Sequence, residues 1–187
     1  HRMYKMIKTS TLPKFCKKIN SVDEINNYFT VNLTNRYDRV RVIGDIHGCY
    51  TALQQAITPW DEKTLYIFCG DYLERGIENK EMMYEMMRLS TFPNTIMLEG
   101  NHERHIANFA FHTNLDRSKR FMKDVVAPIV KDMTKKEVES LQRELRLFYK
   151  SLRQCYPFSF HGKKYLVSHG GISYVPNMTF IATSTFI

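Results

Sequence analysis

From residue 39 onward the chain alternates short apolar runs with amphipathic segments. Residues 39–43, 65–69 and 95–98 predict strands, because each is a short apolar run bounded by turn-forming residues. Residues 51–57 and 78–89 predict helices, and the second carries four methionines that suit a hydrophobic core. Alternating strands and helices are typical of βαβ units, so we expect an α/β fold with a parallel sheet.

The stretch after this sheet loses the alternation and predicts helices. Residues 134–154 form the clearest one, opened by Thr134 and Glu137 in the Ser/Thr-x-x-Glu capping pattern. We expect the preceding helix to end before Pro128, which has no N–H to continue a helical ladder. Residues 158–168 then predict a hairpin that turns at a His-Gly-Lys step.

The predicted organisation is a polar, irregular arm followed by one domain. The arm covers residues 1–36 and includes a short expected helix at 21–29. The domain covers residues 37–187 and contains a helical insertion at about 104–155. The first two residues precede a methionine and resemble remnants of an expression tag.

The composition is that of a globular protein. A chain of 187 residues with 43% apolar and 25% charged residues suits a single domain with a packed core. No apolar stretch approaches the roughly 18 residues that a membrane span needs, and no secretory leader is visible. The four cysteines form no CxxC pair, so we expect reduced thiols and a cytoplasmic protein.

Charge is distributed unevenly along the chain, whose net charge is +8. Residues 1–41 carry nine Lys/Arg against three Asp/Glu, and residues 117–153 carry eleven against five. Residues 42–116 have the opposite balance, with five basic against eleven acidic residues. Basic margins around an acidic, cation-binding centre would attract a polyanionic substrate, although both basic segments could equally be solvated faces.

Candidate metal ligands follow each predicted strand at its carboxyl end. They are two carboxylates, one amide and two imidazoles: Asp45, His47, Asp71, Asn101 and His169. Ligands gather beyond the carboxyl ends of strands in open α/β sheets. Oxygen and nitrogen ligands without thiolate suit Mn²⁺, Fe, Zn²⁺ or Mg²⁺, and two such ions would ionise a bridging water and stabilise in-line displacement at phosphorus.

Glycines precede three of these ligands. Gly44, Gly70 and Gly100 stand where the chain leaves a strand. We expect a side chain at any of the three to crowd the sharp exit that turns the ligands inward.

The segments GDIHG, GDYLERG, GNHE and SHGG, over residues 39–104 and 163–172, resemble the signature of the calcineurin-like metallophosphoesterases. The similarity is to their serine/threonine phosphatase branch and its small bacterial and phage members. The resemblance implies a β-sandwich flanked by helices and two divalent ions, Mn²⁺ being the first choice. Asp45, His47 and Asp71 would bind one ion, and Asp71, Asn101 and His169 the other.

The same resemblance implies catalytic roles. His102 would protonate the leaving oxygen, Arg75 would bind the phosphate, and Asn101 would also contact the substrate. The family has aspartate beside that arginine where this chain has Glu74, which can still accept the hydrogen bond that orients His102. The family also continues beyond the SHGG segment with a second arginine and a last histidine ligand. We therefore expect a chain that lacks the family's C-terminal part and has an incomplete second sheet.

The resulting hypothesis is a phosphomonoesterase in which a metal-bound hydroxide attacks phosphorus, acting on serine or threonine phosphates of a phosphorylated protein or peptide. The alternative within enzymes is a nucleotide or RNA-end phosphatase or phosphodiesterase, including a 2′,3′-phosphatase or a dinucleoside polyphosphate hydrolase. The basic insertion keeps RNA as a possible partner, because clustered Lys and Arg bind phosphate backbones. A third alternative is an inactive metal-binding fragment.

Overall fold

The computed structural model describes residues 31–170, together with the backbone of two short strands outside that range. These strands, β1 (Lys18–Ile19) and β7 (Met178–Thr179), pair antiparallel with each other. The helix predicted at 21–29 lies outside the described residues.

A three-stranded parallel sheet, as the alternating pattern predicts, lies at the centre of the described fold. Its strands β2 (Arg39–Ile43), β3 (Thr64–Phe68) and β4 (Thr95–Met97) are hydrogen-bonded in that order. Every residue of β3 is buried, because this strand has a neighbour on each side and a covering layer on each face. All three carboxyl ends lie at one edge of the sheet, from which three of the motif segments depart.

Helices cover one face of this sheet. The helices α1 (Tyr50–Ile57) and α2 (Asn79–Leu89) make the crossovers between successive strands. The predicted methionine core is confirmed: Met82, Met83 and Met86 are completely buried in the cluster that the helices form with the sheet. Flexible thioether side chains fill such an interior without leaving voids.

Two further helices complete this layer. Helix α3 (Glu103–Phe111) packs against α4 (Lys135–Ser151). The predicted capping box is confirmed, since Glu137 N–H donates to Thr134 Oγ1 at 3.3 Å and Thr134 N–H donates to Glu137 Oε2 at 2.7 Å. The apolar stripe of α4, made of Leu141, Leu145 and Phe148, is buried in the shared core.

The connection between α3 and α4 corrects one prediction. After a 3₁₀ turn at Leu115–Ser118 the chain stays helical to Val130, passing through a π-helical turn at Met122–Val126. The expectation that the helix ends before Pro128 is therefore wrong. Pro128 lies directly after this π-helical turn, as the second residue of the closing segment Ala127–Val130, and the helix continues through it.

The opposite face of the parallel sheet is covered by an antiparallel hairpin. It pairs β5 (Cys155–Phe160) with β6 (Lys163–Ser168), as predicted. The turn residues His161 and Gly162 both have positive φ, the conformation of a two-residue type I′ hairpin turn. A second apolar cluster joins the two sheets, and its buried members are Leu33, Tyr37, Leu65, Ile67, Leu98, Tyr156 and Phe158.

Two simple expectations about the chain can be compared with residues 31–170. Cys49 and Cys69 form no disulfide within this part of the chain, as the absence of a CxxC pattern predicts. No helix in this part of the chain combines the length and apolar character needed to cross a membrane.

Candidate metal centre and active site

The five predicted metal ligands come together at the carboxyl edge of the parallel sheet. Asp45 follows β2, Asp71 follows β3 and Asn101 follows β4, while His169 follows β6 of the hairpin. The two sheets thus contribute to one cluster, because the hairpin lies against the face of the parallel sheet and ends beside its edge.

Asp71 lies at the centre of the cluster. Its side chain is only 3% exposed, and its Oδ2 lies 3.5 Å from His47 Nε2 and 3.6 Å from His169 Nε2. Asp71 also has a left-handed backbone with φ of 53°, which is uncommon for a non-glycine residue. A buried carboxylate that faces two imidazoles, one from His47 and one from His169, is suited to bridging two cations.

His47 is held with one ring nitrogen directed into the site. Its Nδ1 lies 3.1 Å from the Leu73 carbonyl oxygen, to which it donates. The other nitrogen, Nε2, is buried and has no hydrogen-bond partner among the described residues. It lies 3.8 Å from Asp45 Oδ2. A buried nitrogen lone pair that faces two carboxylates is well explained by a metal ion between them.

His169 and Asn101 form the other half of the cluster. His169 Nδ1 donates to the Cys69 carbonyl oxygen at 3.0 Å, which leaves Nε2 as an acceptor. The side-chain amide atom of Asn101 that faces the site lies 3.0 Å from His169 Nε2 and 3.1 Å from Asp71 Oδ2. If the amide nitrogen of Asn101 faces the site, it donates to both His169 Nε2 and Asp71 Oδ2. If the amide oxygen faces the site, it forms a group of three acceptors with those two atoms, which requires a cation between them.

These side chains fit a pair of divalent ions. Ligand atoms of Asp45, Asp71 and His169 lie within 4.8 Å of one another, and so do those of His47, Asp71 and His102. Both groups share Asp71 and contain only carboxylate oxygen and imidazole nitrogen. Asp45 has a side chain that is 52% exposed, so solvent and ions reach the cluster from its side.

The predicted catalytic residues border the same cluster. Glu74 contacts His102 Nδ1 directly through its carboxylate, which directs His102 Nε2 toward the centre. That nitrogen lies 3.8 Å from Asp71 Oδ2 and 3.5 Å from Arg75 Nη2. Both Glu74 and Arg75 have positive φ, 73° and 64°, and such strained backbone is concentrated at functional sites.

Glu103 stabilises the backbone that carries the site residues. It is completely buried, and its carboxylate accepts the backbone N–H groups of Asp71 at 2.8 Å, Tyr72 at 3.1 Å and Gly100 at 2.6 Å. Burial raises the pKa of Glu103 to about 8, against the opposing effect of the three N–H donors. Glu103 therefore fixes the exits of β3 and β4 to each other, which is a structural role.

The three motif glycines differ in their surroundings. A Cβ on Gly70, whose φ is +103°, would lie 2.3 Å from Gly100 N, and one on Gly100 would lie 2.3 Å from Asp71 Oδ1. The expectation for Gly44 is wrong, because a Cβ there meets no atom within 4 Å among the described residues. Gly44 also follows the exposed strand β2, so the crowding that constrains the other two exits is absent there.

Several residues near the site have no strong sequence signal. The carbonyl groups of Cys69 and Leu73 orient the two imidazoles, and any residue type could supply them. Burial raises the pKa of the Cys69 thiol to about 11, so the side chain itself stays neutral. His105 also lies close, with its ring centroid 6.1 Å from that of His102.

The other histidines of the described region have different partners. His112 Nε2 lies 3.1 Å from Gln142 Oε1 between α3 and α4, and His161 stands in the hairpin turn. Neither belongs to the groups of converging ligand atoms within the described residues.

Comparison with known proteins gives relatives of two kinds. A serine/threonine-protein phosphatase 2 from Salmonella typhimurium is 37% identical over 93 residues, covering 48% of this chain and 40% of the relative. A symmetrical bis(5′-nucleosyl)-tetraphosphatase from Baumannia cicadellinicola is 32% identical over 136 residues, covering 70% of this chain and 41% of the relative. A protein serine/threonine phosphatase structure from Saccharomyces cerevisiae is 22% identical with a TM-score of 0.49, covering 76% of this chain and 41% of that one.

The chain spans less than half the length of these relatives. Residues 38–186, which include all four motif segments, match the family described as calcineurin-like phosphoesterase. By this match over most of its length, the chain belongs to the calcineurin-like phosphoesterase family.

Proposed function

We propose that this chain carries the active site of a metal-dependent phosphatase that hydrolyses phosphomonoesters, with serine and threonine phosphates of proteins as the first candidate substrates. The convergence of the Asp45 carboxylate, the Asn101 amide and two imidazoles on Asp71 is the observation that supports it most strongly. We assign one ion to Asp45, His47 and Asp71 and the other to Asp71, Asn101 and His169. Mn²⁺ is the first candidate metal.

The bound ions would supply Lewis acidity toward the phosphoryl oxygens and the attacking water. Side chains of the protein bind the phosphate and transfer the proton. Arg75 has a guanidinium fork that suits two phosphate oxygens, and Asn101 also contacts the phosphate. His102 gives a proton from Nε2 to the leaving oxygen, while Glu74 keeps the ring in that orientation through Nδ1.

Two substrate classes compete within this proposal. The Salmonella relative is named a serine/threonine phosphatase and has the higher identity, which supports phosphoproteins. The Baumannia relative is named a nucleosyl tetraphosphatase and matches a longer part of this chain, which supports nucleotides as the second candidate. Cys49 and Cys69 form no disulfide within the described residues, which suits the reducing cytoplasm, where we propose that the protein acts.

The test is hydrolysis of an aryl phosphate by the 187-residue chain with Mn²⁺. Asp71→Asn keeps the side-chain volume but removes the bridging charge, so we expect activity to fall by about 10²–10³-fold. Asp124→Asn is the matched control, because Asp124 pairs with Arg120 on the insertion and belongs to neither ligand group.

Two results would contradict the proposal. One is wild-type turnover that is independent of added metal and insensitive to chelator. The other is an Asp71→Asn variant that retains the wild-type rate. Relative rates on a phosphoserine peptide and on a dinucleoside tetraphosphate then rank the two substrate classes.

A further inference from the structure

A separate cavity opens between α3 and the turn that follows it. Its volume is about 540 Å³, and its lining residues are Arg104, His105, Asn108, Asn114 and Arg117. We call it the Arg104–Arg117 pocket. Two guanidinium groups, an imidazole and two amides form a lining rich in hydrogen-bond donors, which suits an oxyanion. None of these five residues belongs to the predicted metal and catalytic set.

Hydrogen bonds hold the inner wall of this pocket in place. Ser118, which is only 1% exposed, receives the Asn108 side-chain N–H at 2.8 Å and lies 2.8 Å from His105 Nδ1. The His105 ring also stacks on Phe121 with an interplanar angle of 22°. Arg104 Nε donates to His105 Nε2 at 3.5 Å, which holds the guanidinium beside the imidazole in the pocket lining.

The pocket carries two guanidinium groups, while the Glu74 carboxylate lies beside its His105 wall. Neither Arg104 nor Arg117 forms an ion pair within residues 31–170. The nearby carboxylate of Asp116 pairs with Lys119 at 3.5 Å. Burial lowers the pKa of His105, so its ring is neutral near pH 7 and the two arginines supply the charge.

The pocket adjoins the leaving-group side of the proposed active site. His105 shares a group of ligand atoms within 4.8 Å with Glu74 and His102. The proposed proton donor and the pocket wall are therefore neighbours. A leaving group that takes its proton from His102 would extend past His105 toward the two arginines.

We propose that the Arg104–Arg117 pocket binds a second phosphoryl group in the leaving group, so that among nucleotides the phosphoanhydrides, such as nucleoside diphosphates and polyphosphates, are better substrates than the monophosphates. This inference rests on the proposed function. In a phosphoanhydride the atom attached to the leaving oxygen is another phosphorus, whose charged oxygens lie directly beside the proton donor. In a phosphoprotein that position is an uncharged methylene, which gains nothing from paired arginines.

The chemistry of such a step balances with groups already named. Water adds to the terminal phosphorus and releases one proton to solvent, the bond from that phosphorus to the bridging oxygen breaks, and protonated His102 gives its Nε2 proton to that oxygen. His102 then regains a proton from solvent. The second phosphate leaves with its negative charge compensated by Arg104 and Arg117.

The experiment compares ADP with AMP, two substrates that share a nucleoside and differ by the anhydride. We expect wild-type kcat/KM to be at least about tenfold higher for ADP, and Arg117→Ala to lower the ADP/AMP ratio about tenfold, mainly through KM. Lys119→Ala is the control, since this exposed lysine lies outside the pocket and its loss removes the same charge. Arg117→Lys should restore part of the ratio.

Binding provides a second readout that does not need turnover. Titration of the metal-free chain with inorganic pyrophosphate should show an affinity about tenfold weaker for Arg117→Ala than for Lys119→Ala. Equal affinities would overturn the inference. So would an Arg117→Ala defect confined to an acidic phosphoserine peptide, which would make the pocket a peptide subsite. If wild type hydrolyses neither nucleotide nor an aryl phosphate, the proposed function fails, whereas the pyrophosphate titration still decides the pocket.

Discussion

Orientation of the His47 and His169 imidazoles depends on backbone carbonyl groups. His47 and His169 each donate Nδ1–H to a carbonyl oxygen, at 3.1 Å and 3.0 Å, and so present Nε2 to Asp71. Such contacts fix the tautomer as well as the ring orientation, and both are needed before a metal can bind. The His102 ring is oriented in the same way, by the Glu74 carboxylate instead of a carbonyl group.

Replacement of Glu74 tests this arrangement at one position. Glu74→Gln keeps the shape but loses the carboxylate that His102 Nδ1 contacts, so we expect kcat to fall by about 10–100-fold with little change in KM. Glu74→Asp, which restores the residue usual in the family, should recover most of the activity. Steady-state kinetics on an aryl phosphate with Mn²⁺ give both constants. A Gln variant with wild-type kcat would show that Glu74 does not position His102.

The site is assembled by the exits of β3 and β4, which approach each other closely. Gly70 and Gly100 make this approach possible, and the buried carboxylate of Glu103 joins the two exits through three N–H groups. The exit of β2 is less constrained, since Gly44 has free space around it within the described residues. Ligand geometry thus depends on two strand exits more than on the third.

A pair of glycine substitutions measures this difference. Gly70→Ala adds a Cβ 2.3 Å from Gly100 N on a backbone with φ of +103°, so we expect a loss of about 2 kcal/mol or more in the free energy of unfolding. Gly44→Ala meets nothing within 4 Å in the described structure and should change stability by only about 0.5 kcal/mol. Urea unfolding with chelator present measures both values. Equal losses would contradict the distinction.

The hydrogen bonds to Asp61, in the turn before β3, should make the stability of the fold depend on pH. The Thr64 hydroxyl donates to the Asp61 carboxylate, as do Lys63 N–H and Arg39, and these contacts lower the pKa of Asp61 from 3.8 to about 2. Because the folded pKa lies below the unfolded one, the stabilisation is complete above about pH 4 and is lost as the pH falls toward 2. Urea unfolding of Asp61→Asn should therefore differ from wild type more at pH 6 than at pH 3. A constant difference would exclude this linkage.

Across the whole molecule, two apolar cores converge beneath the candidate metal centre. The helical layer and the hairpin each pack on one face of the parallel sheet, and the ligands come from both layers. The exits of β2, β3, β4 and β6 must keep their relative positions for the ligands to meet. Metal binding should therefore stabilise the fold as a unit, because a preformed ligand set exists only in the folded state.

Metal-linked stability is the test at this scale. Mn²⁺ at about 100 times its dissociation constant should raise the free energy of unfolding by about 2.7 kcal/mol over the chelator-treated chain. Asp71→Asn should abolish most of this gain, whereas Asp124→Asn should keep it. Urea titrations with Mn²⁺ and with chelator give the difference. No metal-dependent stabilisation of the wild-type chain would contradict the assigned ligand sets.

The sequence by itself determined the local elements and the identity of the ligand-bearing segments. Hydrophobic periodicity and capping chemistry report on neighbouring residues, so the strands of the parallel sheet and the start of α4 were predictable within one or two residues. Pro128 shows the limit of that reasoning, since a π-helical turn allows the helix to continue through it.

Only the tertiary structure decided which glycine exits are crowded, which carbonyl groups orient the imidazoles, and that the Arg104–Arg117 pocket opens beside His102. Each of these depends on distances between residues far apart in the chain, such as Gly70 and Gly100 or His169 and Cys69. The alternation of residues along a strand specifies which face of the strand is buried. The contacts across layers follow from how those layers pack.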